Sequence, residues 1–501
     1  MGLGRRGQIV RRAVVNAVRL FVRILGSIAL VALLAVLFVA VISGVRIITY
    51  ESADDADHLE AKRDYLEAIA VQKTSQLDRP NIIVLLFDDL GYGDLSSYGS
   101  QSIATPRIDA LAAGGLRLDN YYAPSPVCTS SRAALLTGRY APRAGLNIVA
   151  FPTGDPVELS MRAQGTLATR LPAEEIMLSE ILQAAGYQTG MVGKWHLGDQ
   201  SPSRPMDRGH DHYLGALYSN DMTPFAIYDE DKIIHEAPFD QTKMKEVYEA
   251  AALDFIDQDR EGPFFLYMAH NFPHIPLFAP DADLGRSKGG LYGDVIEGLD
   301  DTVGAIVTLL ERRGELEHTL ILITSDNGPW YEGNPGPVRG RKNQTWEGGM
   351  RVPFIAHWPA RIAPGRESDA PVVGVDLVPT LLGLLGLPAP NDRVLDGSDV
   401  GPHLFDEDEP PERWVQYWGT DGSLDAIRGT RFKYHRRRGV RGVGSEYFSV
   451  NLPQGPWLFD LERDPNESYD VSKRYPEDAA RLAAAYQRHL ESSETNLRGW
   501  Q

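Results

Sequence analysis

The sequence predicts an α/β fold: a large mixed, mostly parallel sheet flanked by helices, with a smaller carboxy-terminal α+β subdomain and one amino-terminal transmembrane helix. Three observations predict it. From residue 79 onward, apolar runs ending in Gly, Asp or Ser, such as Ile82 to Phe87, Phe264 to Met268 and Leu320 to Thr324, alternate with longer amphipathic stretches. That is the pattern of strand and helix in turn around a parallel sheet. Past residue 400 the runs shorten, as at Trp414 to Trp418 and Arg431 to His435, and a helical stretch follows from Pro476 to Ser492. Ahead of both, Ile24 to Val45 is a run of 22 residues without a charge, long enough at about 1.5 Å rise per residue to cross the roughly 30 Å hydrocarbon core.

In chain order, residues 1–23 read as a basic cytoplasmic tail, 24–45 as a transmembrane signal anchor and 46–78 as a juxtamembrane linker and helix. Residues 79–400 read as the main α/β domain, and 401–501, opened by an acidic, Pro-rich passage from Phe405 to Glu412, as the α+β subdomain. Six Arg precede the apolar run and one follows it, which keeps the amino terminus in the cytoplasm and exports the rest. A cleaved signal peptide is the competing reading. The apolar run is longer than a usual signal core, and no small-x-small cleavage site follows it. Leu59, Tyr65, Leu66 and Ile69 recur at helical spacing and predict a short helix leading out of the membrane, without chemistry of its own.

With 501 residues, 43% hydrophobic and 24% charged, the chain is long enough to bury a sizeable core, and disorder and collagen-like repeats are excluded. One cysteine, Cys128, excludes an intramolecular disulfide framework and any all-Cys metal site. The first 50 residues hold seven Arg and no acid, so the remaining 451 carry 43 basic against 68 acidic side chains, a net −25. Nucleic acid is not an expected partner of so acidic a body, and an anionic substrate would need a local island of positive charge.

Two strand ends carry oxygen ligands. The first strand runs into Asp88-Asp89-Leu90-Gly91, and a later one into Ser325-Asp326-Asn327-Gly328. Ligands gather at the carboxyl ends of strands in such sheets, and four acid or amide oxygens there suit Ca2+ or Mg2+ better than zinc or copper. Taken singly, adjacent acids could equally cap a helix or close a turn. Cys128 opens the run Cys128-Thr129-Ser130-Ser131-Arg132, and Arg132 lies four residues on, the same face of a helix. By itself a lone cysteine is as readily a small buried hydrophobe.

Cys128, Arg132 and Leu136-Thr137-Gly138 match in register the signature Cys-x-Pro/Ala-x-Arg followed by Leu-Thr-Gly, with Ser130 where Pro or Ala is usual, and the chain resembles the type I sulfatases of the arylsulfatase family. The resemblance covers residues 80 to 490. It implies an alkaline phosphatase-like fold, hydrolysis of a sulfate monoester, and formylglycine made from Cys128 by a maturation enzyme. Gly193-Lys194-Trp195-His196-Leu197-Gly198 then supplies Lys194 and His196 to the sulfate and the formylglycine. Ser219 of Tyr218-Ser219-Asn220-Asp221 hydrogen-bonds nearby, and His274 of Asn271-Phe272-Pro273-His274 protonates the leaving group. Lys342 of Arg339-Gly340-Arg341-Lys342 binds sulfate, while Asp88, Asp89, Asp326 and Asn327, with residue 128, hold the divalent cation, Ca2+ or Mg2+.

In that chemistry one hydroxyl of hydrated formylglycine attacks sulfur, and the sulfated intermediate then expels sulfate when His196 deprotonates the other hydroxyl. His270, Asp94, Arg139 and Glu347 are expected to be structural. Two other readings share the motifs: a phosphate or phosphonate ester hydrolase of the same superfamily, and a non-catalytic membrane-tethered binder of sulfated glycans. Specificity is expected in the loops Ile148 to Leu171, Ser201 to Arg208 and Tyr331 to Val338, which leave a sulfated glycan, aryl sulfate or sulfated lipid open.

Overall fold

Strands buried on both faces need no polar alternation, which is why Asn81–Phe87, Phe264–Ala269 and Thr319–Ser325 read as continuous apolar runs. In the computed structural model of the chain, which describes residues 3–48, 54–71, 79–164, 169–410, 413–441 and 449–501, these strands lie side by side in a ten-stranded sheet. Its order is Arg366–Ser368, Leu116–Leu118, Phe354–His357, Thr319–Ser325, Asn81–Phe87, Phe264–Ala269, Gln188–Gly193, His212–Gly215, Ile227–Asp229 and Lys232–His235. The five from Thr319–Ser325 to His212–Gly215 are mutually parallel, and antiparallel strands flank them on both sides. Helices form the crossovers. The longest of these, Gly290–Arg313, buries Val295, Leu299, Val303, Ile306 and Leu310 against the sheet side of the core, and it ends with Arg312 and Arg313 in its last turn and Gly314 in the left-handed region at φ 68°.

The chain divides into two compact units. One comprises residues 54–153 and 168–501 and contains all three sheets, the third a two-stranded pairing of Tyr121–Tyr122 with Val372–Val373; the other comprises residues 1–53 and 154–167. In the smaller unit, a single helix, Leu3–Ile48, takes in most of the basic tail as well as the apolar run. Its stretch Val14–Ile47 is long and apolar enough to cross a membrane and contains no buried residue. Arg46 in this helix donates to the Ala163 carbonyl at 3.3 Å beside the helix Pro156–Gln164.

The juxtamembrane helix runs over Ala56–Val71 and belongs to the larger unit. It is docked rather than free. Lys62 is buried, pairs with Glu180 at 2.6 Å and donates to the carbonyls of Ala173 and Glu175, while burial and the nearby Arg208 push its ammonium down to about 8. His58 stacks on Trp500 at 3.9 Å. The remainder of the expected linker, residues 49–53 and 72–78, lies outside the described residues, as do Pro411 and Glu412 of the acidic passage.

Past residue 400 a four-stranded antiparallel sheet, Val415–Trp418, Leu424–Arg428, Phe432–Arg441 and Ser449–Asp460, packs with the helix Pro476–Thr495. Its core, including Tyr417, Ile427, Leu458 and Leu482, is continuous with Tyr122, Ala134, Met350 and Val373 of the main domain. A buried charge cluster sits at that junction. Glu347 accepts from Tyr122 at 2.7 Å and Tyr417 at 2.6 Å, and pairs with Lys433 at 3.2 Å. Lys433 also pairs with Glu467 at 2.9 Å and donates to the Thr345 carbonyl at 3.0 Å.

Removing Lys433 takes from buried Glu467 the cation it pairs with and leaves Glu347 with Arg428, 3.7 Å away. Lys433→Ala should therefore lower the unfolding free energy by about 3–5 kcal/mol, read as a shifted denaturant midpoint at constant slope. A loss below about 1 kcal/mol, the scale of an exposed pair, would show that the cluster does not hold the subdomain in place.

Candidate functional site

Five parallel strands put five carboxyl ends at one edge of the sheet, where α/β proteins bind ligands. Asn81–Phe87 runs into Asp88 and Asp89, Thr319–Ser325 into Asp326 and Asn327, Gln188–Gly193 into Lys194 and His196, Phe264–Ala269 into His270 and His274, and His212–Gly215 into Ser219. The register aligns Phe87 with Ser325, so the two acidic motifs meet although 237 residues separate Asp89 from Asp326: the Asp89 amide donates to Asp326 Oδ1 at 3.2 Å. Gly193, at φ 108°, closes its strand against the Ala269 carbonyl, and a Cβ there would collide with that oxygen.

Cys128 is the first residue of a fully buried helix, Cys128–Thr137. One turn on, Arg132 donates to Asp326 Oδ2 at 2.8 Å and to the Lys194 carbonyl at 2.6 Å, and lies 3.6 Å from Asp88. Lys194 pairs with Asp88 and donates to Ser219 Oγ at 3.2 Å. Lys342 pairs with Asp89 at 2.8 Å, and His274 Nε2 lies 3.7 Å from the same carboxylate. The next residue, Asn343, donates its amide to the Pro126 carbonyl at 2.9 Å, which ties the Lys342 loop to the Cys128 turn. His196 Nε2 faces the Ala150 carbonyl at 3.0 Å. A carbonyl only accepts, so that nitrogen carries the proton and Nδ1 presents its lone pair.

Burial is the largest single influence on Cys128, His196, His274, Asp88 and Asp326. It pushes the Cys128 thiol up, against the opposing influence of Lys194 and Lys342. His196 is driven well below the ordinary range by burial, Lys194 and Arg132, and His274 is lowered by burial and Lys342. Burial raises Asp88, but Lys194, His274, Arg132 and Lys342 outweigh it and hold that carboxyl well below the usual range. Burial together with the charge of Asp88 raises Asp326 to about 7.

The oxygen set fits a hard cation. Asp88 Oδ1 and Asn327 Oδ1 are both buried with no hydrogen-bond partner among the described residues, a costly state for an acceptor unless it has a ligand. Asn327 uses its Nδ2 on Asp89 at 2.7 Å, which turns its oxygen toward the site. By distance alone Asp88, Asp89 and His274 form the candidate cluster, with ligand atoms within 4.8 Å of one another. A hard cation favours the oxygens of Asp326 and Asn327 over an imidazole nitrogen. The charge balance agrees: Asp88, Asp89 and Asp326 offset Arg132, Lys194 and Lys342, so a bound cation would supply the positive excess that an anion needs.

A cleft of about 460 Å3 opens over these groups, with Cys128, Asp89, His196, Ser219, His274 and Lys342 in its wall. Arg132 is fully buried behind it. Asp89, His196 and Asn343 have φ of 65°, 63° and 70°, and non-glycine residues in that region cluster where structure serves function. Sequence reasoning gave no site role to Asp221, Met222, Ile275, Trp330 or Asn343, all of which line the cleft. Trp330 sits just ahead of an expected specificity loop, and Val149, also a cleft residue, within another. Among the described residues, Ser201 to Arg208 does not reach the cleft.

The residues expected to be structural are so placed. His270 Nδ1 accepts from the Phe272 amide, and Asp94 accepts from Tyr292 at 2.6 Å and from the amides of Gly91 and Asn334. Arg139 pairs with Glu175 at 3.0 Å.

Comparison with known proteins names the chemistry. The model of the family described as Sulfatase matches residues 80–387, more than half of the chain. N-acetylgalactosamine-6-sulfatase of Rattus norvegicus is 34% identical over 471 residues, 85% of this chain and 88% of that protein. Arylsulfatase A of Homo sapiens is 35% identical over 440 residues, 78% of this chain and 83% of its own. Among solved structures, the PsFucS1 sulfatase from Pseudoalteromonas sp. superimposes with a TM-score of 0.74 at 29% identity, covering 88% of this chain and 95% of that one. A chain that shares this profile, these relatives and a buried cleft of acids, lysines and histidines around a lone cysteine belongs to the sulfatase family and is a sulfuric ester hydrolase.

Proposed function

We propose that the chain hydrolyses the sulfate ester of a glycan at Cys128, once a maturation enzyme has oxidised that residue to formylglycine. The carrying observation is the position of Cys128: first in its helix, in the cleft wall beside Asp89, His196, His274 and Lys342. Formylglycine would supply a hydrated aldehyde whose two hydroxyls serve for attack and release. Asp88, Asp89, Asp326 and Asn327, with residue 128, would hold Ca2+ or, by the same oxygen chemistry, Mg2+, which would make an oxygen bound to it more acidic and offset charge on the ester.

The remaining roles belong to the chain's own side chains. Lys194, Ser219 and Lys342 bind the sulfate oxygens, and Arg132 positions Asp326 and the Lys194 backbone from behind. His196, neutral and with Nδ1 bare, accepts a proton at residue 128. His274 Nε2 delivers one to the departing alcohol. The glycan reading draws on the name of the N-acetylgalactosamine-6-sulfatase relative.

We extend the proposal to the layout: residues 1–23 as a cytoplasmic tail, 24–45 as a retained single-pass anchor, 46–78 as the juxtamembrane segment, 79–400 as the catalytic domain and 401–501 as its α+β subdomain, with the cleft on the exported side. The charge asymmetry about the exposed apolar helix supports it.

The direct test is turnover of matched small aryl esters by protein whose residue 128 is confirmed as aldehyde by peptide mass. Sulfate should be hydrolysed faster than phosphate, and the reverse order would move the chain to phosphate chemistry. Asp326→Ala should lose both divalent cation and activity while remaining folded; full stoichiometry in metal analysis would remove the site.

Ser130 is third in its helix and buried, and its Oγ has no hydrogen-bond partner among the described residues. Amides of a first helical turn have no intrahelical acceptor, so proline fits there. Ser130→Pro should leave activity per mole of aldehyde level while raising the converted fraction, because a maturation enzyme that reads the extended segment would then pay about 1 kcal/mol less in ordering it. Equal conversion in both proteins, measured by peptide mass, would show that Ser130 is no handicap.

A further inference from the structure

A second cavity lies beside the catalytic cleft and has no part in the chemistry above. It measures about 980 Å3 with its mouth, against about 460 Å3 for the cleft. Two expected specificity segments meet in it: Pro152 and Thr153 from one, Ser201 and Arg204 from the other. The wall between the two spaces is thin. Tyr218 lines the second cavity and the adjacent Ser219 lines the cleft, while the Tyr218 ring meets the His196 ring edge-on at 5.7 Å.

The charge of this cavity is asymmetric in use, though not in count. Asp199 is engaged by Thr153, accepting from its amide at 2.9 Å and its hydroxyl at 2.6 Å. Arg204 is engaged at one end only, with NH1 2.9 Å from Asp231, a carboxylate 60% exposed to solvent. Its Nε is enclosed and has no hydrogen-bond partner among the described residues. The guanidinium also lies 5.8 Å over the Tyr228 ring. A guanidinium a quarter exposed at the cavity wall, held at one end by a solvent-exposed carboxylate, can donate to an oxyanion at its other end, and an aromatic face beside it suits the apolar side of a pyranose ring.

We infer that this cavity is a subsite for an anionic sugar unit adjoining the sulfated one, with the accessible part of the Arg204 guanidinium donating to its carboxylate or second sulfate and Tyr228 packing against its ring. The inference rests on the glycan reading of the catalytic cleft. It gives the loop Ser201 to Arg208 its specificity role at the neighbouring sugar rather than at the ester under attack.

The test uses the full chain with residue 128 confirmed as aldehyde, and four substrates: a small aryl sulfate, and sulfated disaccharides whose second ring is neutral, a uronate or itself sulfated. The wild type should prefer the anionic second rings over the neutral one, and Arg204→Met should lower kcat/KM about tenfold for the anionic disaccharides alone, the scale of one charge-assisted hydrogen bond. The uronate and sulfate arms distinguish the two sources of the anion. Tyr228→Ala should weaken all three disaccharides and leave the aryl sulfate unchanged. An equal loss on every substrate, or an unchanged disaccharide preference in Arg204→Met, would overturn the subsite.

Failure of the aryl sulfate itself would count against the catalytic reading, and a binding measurement keeps the two apart. Calorimetric titration with a uronate disaccharide lacking the scissile sulfate, and with one whose only sulfate is on the second ring, should show binding to wild type that Arg204→Met weakens about tenfold. Equal affinity in both proteins, or no binding to wild type, would overturn the inference whatever the hydrolysis assays return.

Discussion

Parallel pairing of the central strands is the constraint on which the site depends. A parallel sheet sends every connection back over its faces and leaves all carboxyl ends at one edge. Aligning Phe87 with Ser325 and Gly193 with Ala269 therefore places three acids, an amide, a lysine and two histidines together without any being near another motif in sequence. A shift of one residue in the first of these registers would turn Asp88 and Asp89 to the opposite faces. The side chains that surround Cys128 thus draw their precision from backbone ladders buried in the core, and the strained conformations of Asp89, His196 and Asn343 are held by what surrounds them.

Charge is the second organising term, and it acts through burial. Three carboxylates and three cationic side chains are packed out of water in this site, where a charge persists only if it is paired. Asp88 and Asp326 resolve their mutual repulsion in opposite directions, the first held low by Lys194 and its neighbours and the second raised to about 7. Opposite shifts on neighbouring carboxylates are of the kind that cluster at functional sites. Farther from the cleft, Glu347, Lys433 and Glu467 repeat the device for a structural end: Lys433 binds the Thr345 carbonyl, three residues past Lys342, so the carboxy-terminal sheet steadies the loop that carries Lys342.

The parts legible in the sequence were those with a local or periodic signal. Continuous apolar runs identified the buried strands, Gly-Lys-Trp-His and the cysteine run stood out as short motifs, and an uncharged stretch marked the long helix. What escaped was set by contacts between distant residues. Nothing near Asn343 signals its left-handed backbone, and nothing near Trp330 signals that it walls the cleft, because both follow from how the 329–343 loop folds back on the Cys128 turn. The docking of the Ala56–Val71 helix was hidden for a related reason. Lys62 reads as a solvated charge until Glu180 and two carbonyls are brought around it. The Ser201 to Arg208 loop, expected from the sequence to bear on specificity, lines the second cavity and not the catalytic cleft, a distinction that composition does not carry.

The state of the cysteine bears on why this site is built around an oxidised residue. A thiol that acts as a nucleophile is kept as thiolate by a paired imidazolium, a metal or a lowered pKa. The side chains around Cys128 work against the thiolate: burial outweighs Lys194 and Lys342 and raises its thiol, Asp88 and Asp326 push it the same way, and His196 and His274 are both shifted toward their neutral forms. His196 commits its N–H to a carbonyl and cannot pair as an imidazolium with sulfur through that atom. An environment that suppresses thiolate is poor for a cysteine enzyme and well suited to an oxygen nucleophile, since the bare Nδ1 of His196 and the orphaned oxygens of Asp88 and Asn327 offer a base and cation ligands in place of a thiolate-stabilising charge. The same burial that silences Cys128 as a thiol thereby favours the chemistry of its oxidised form.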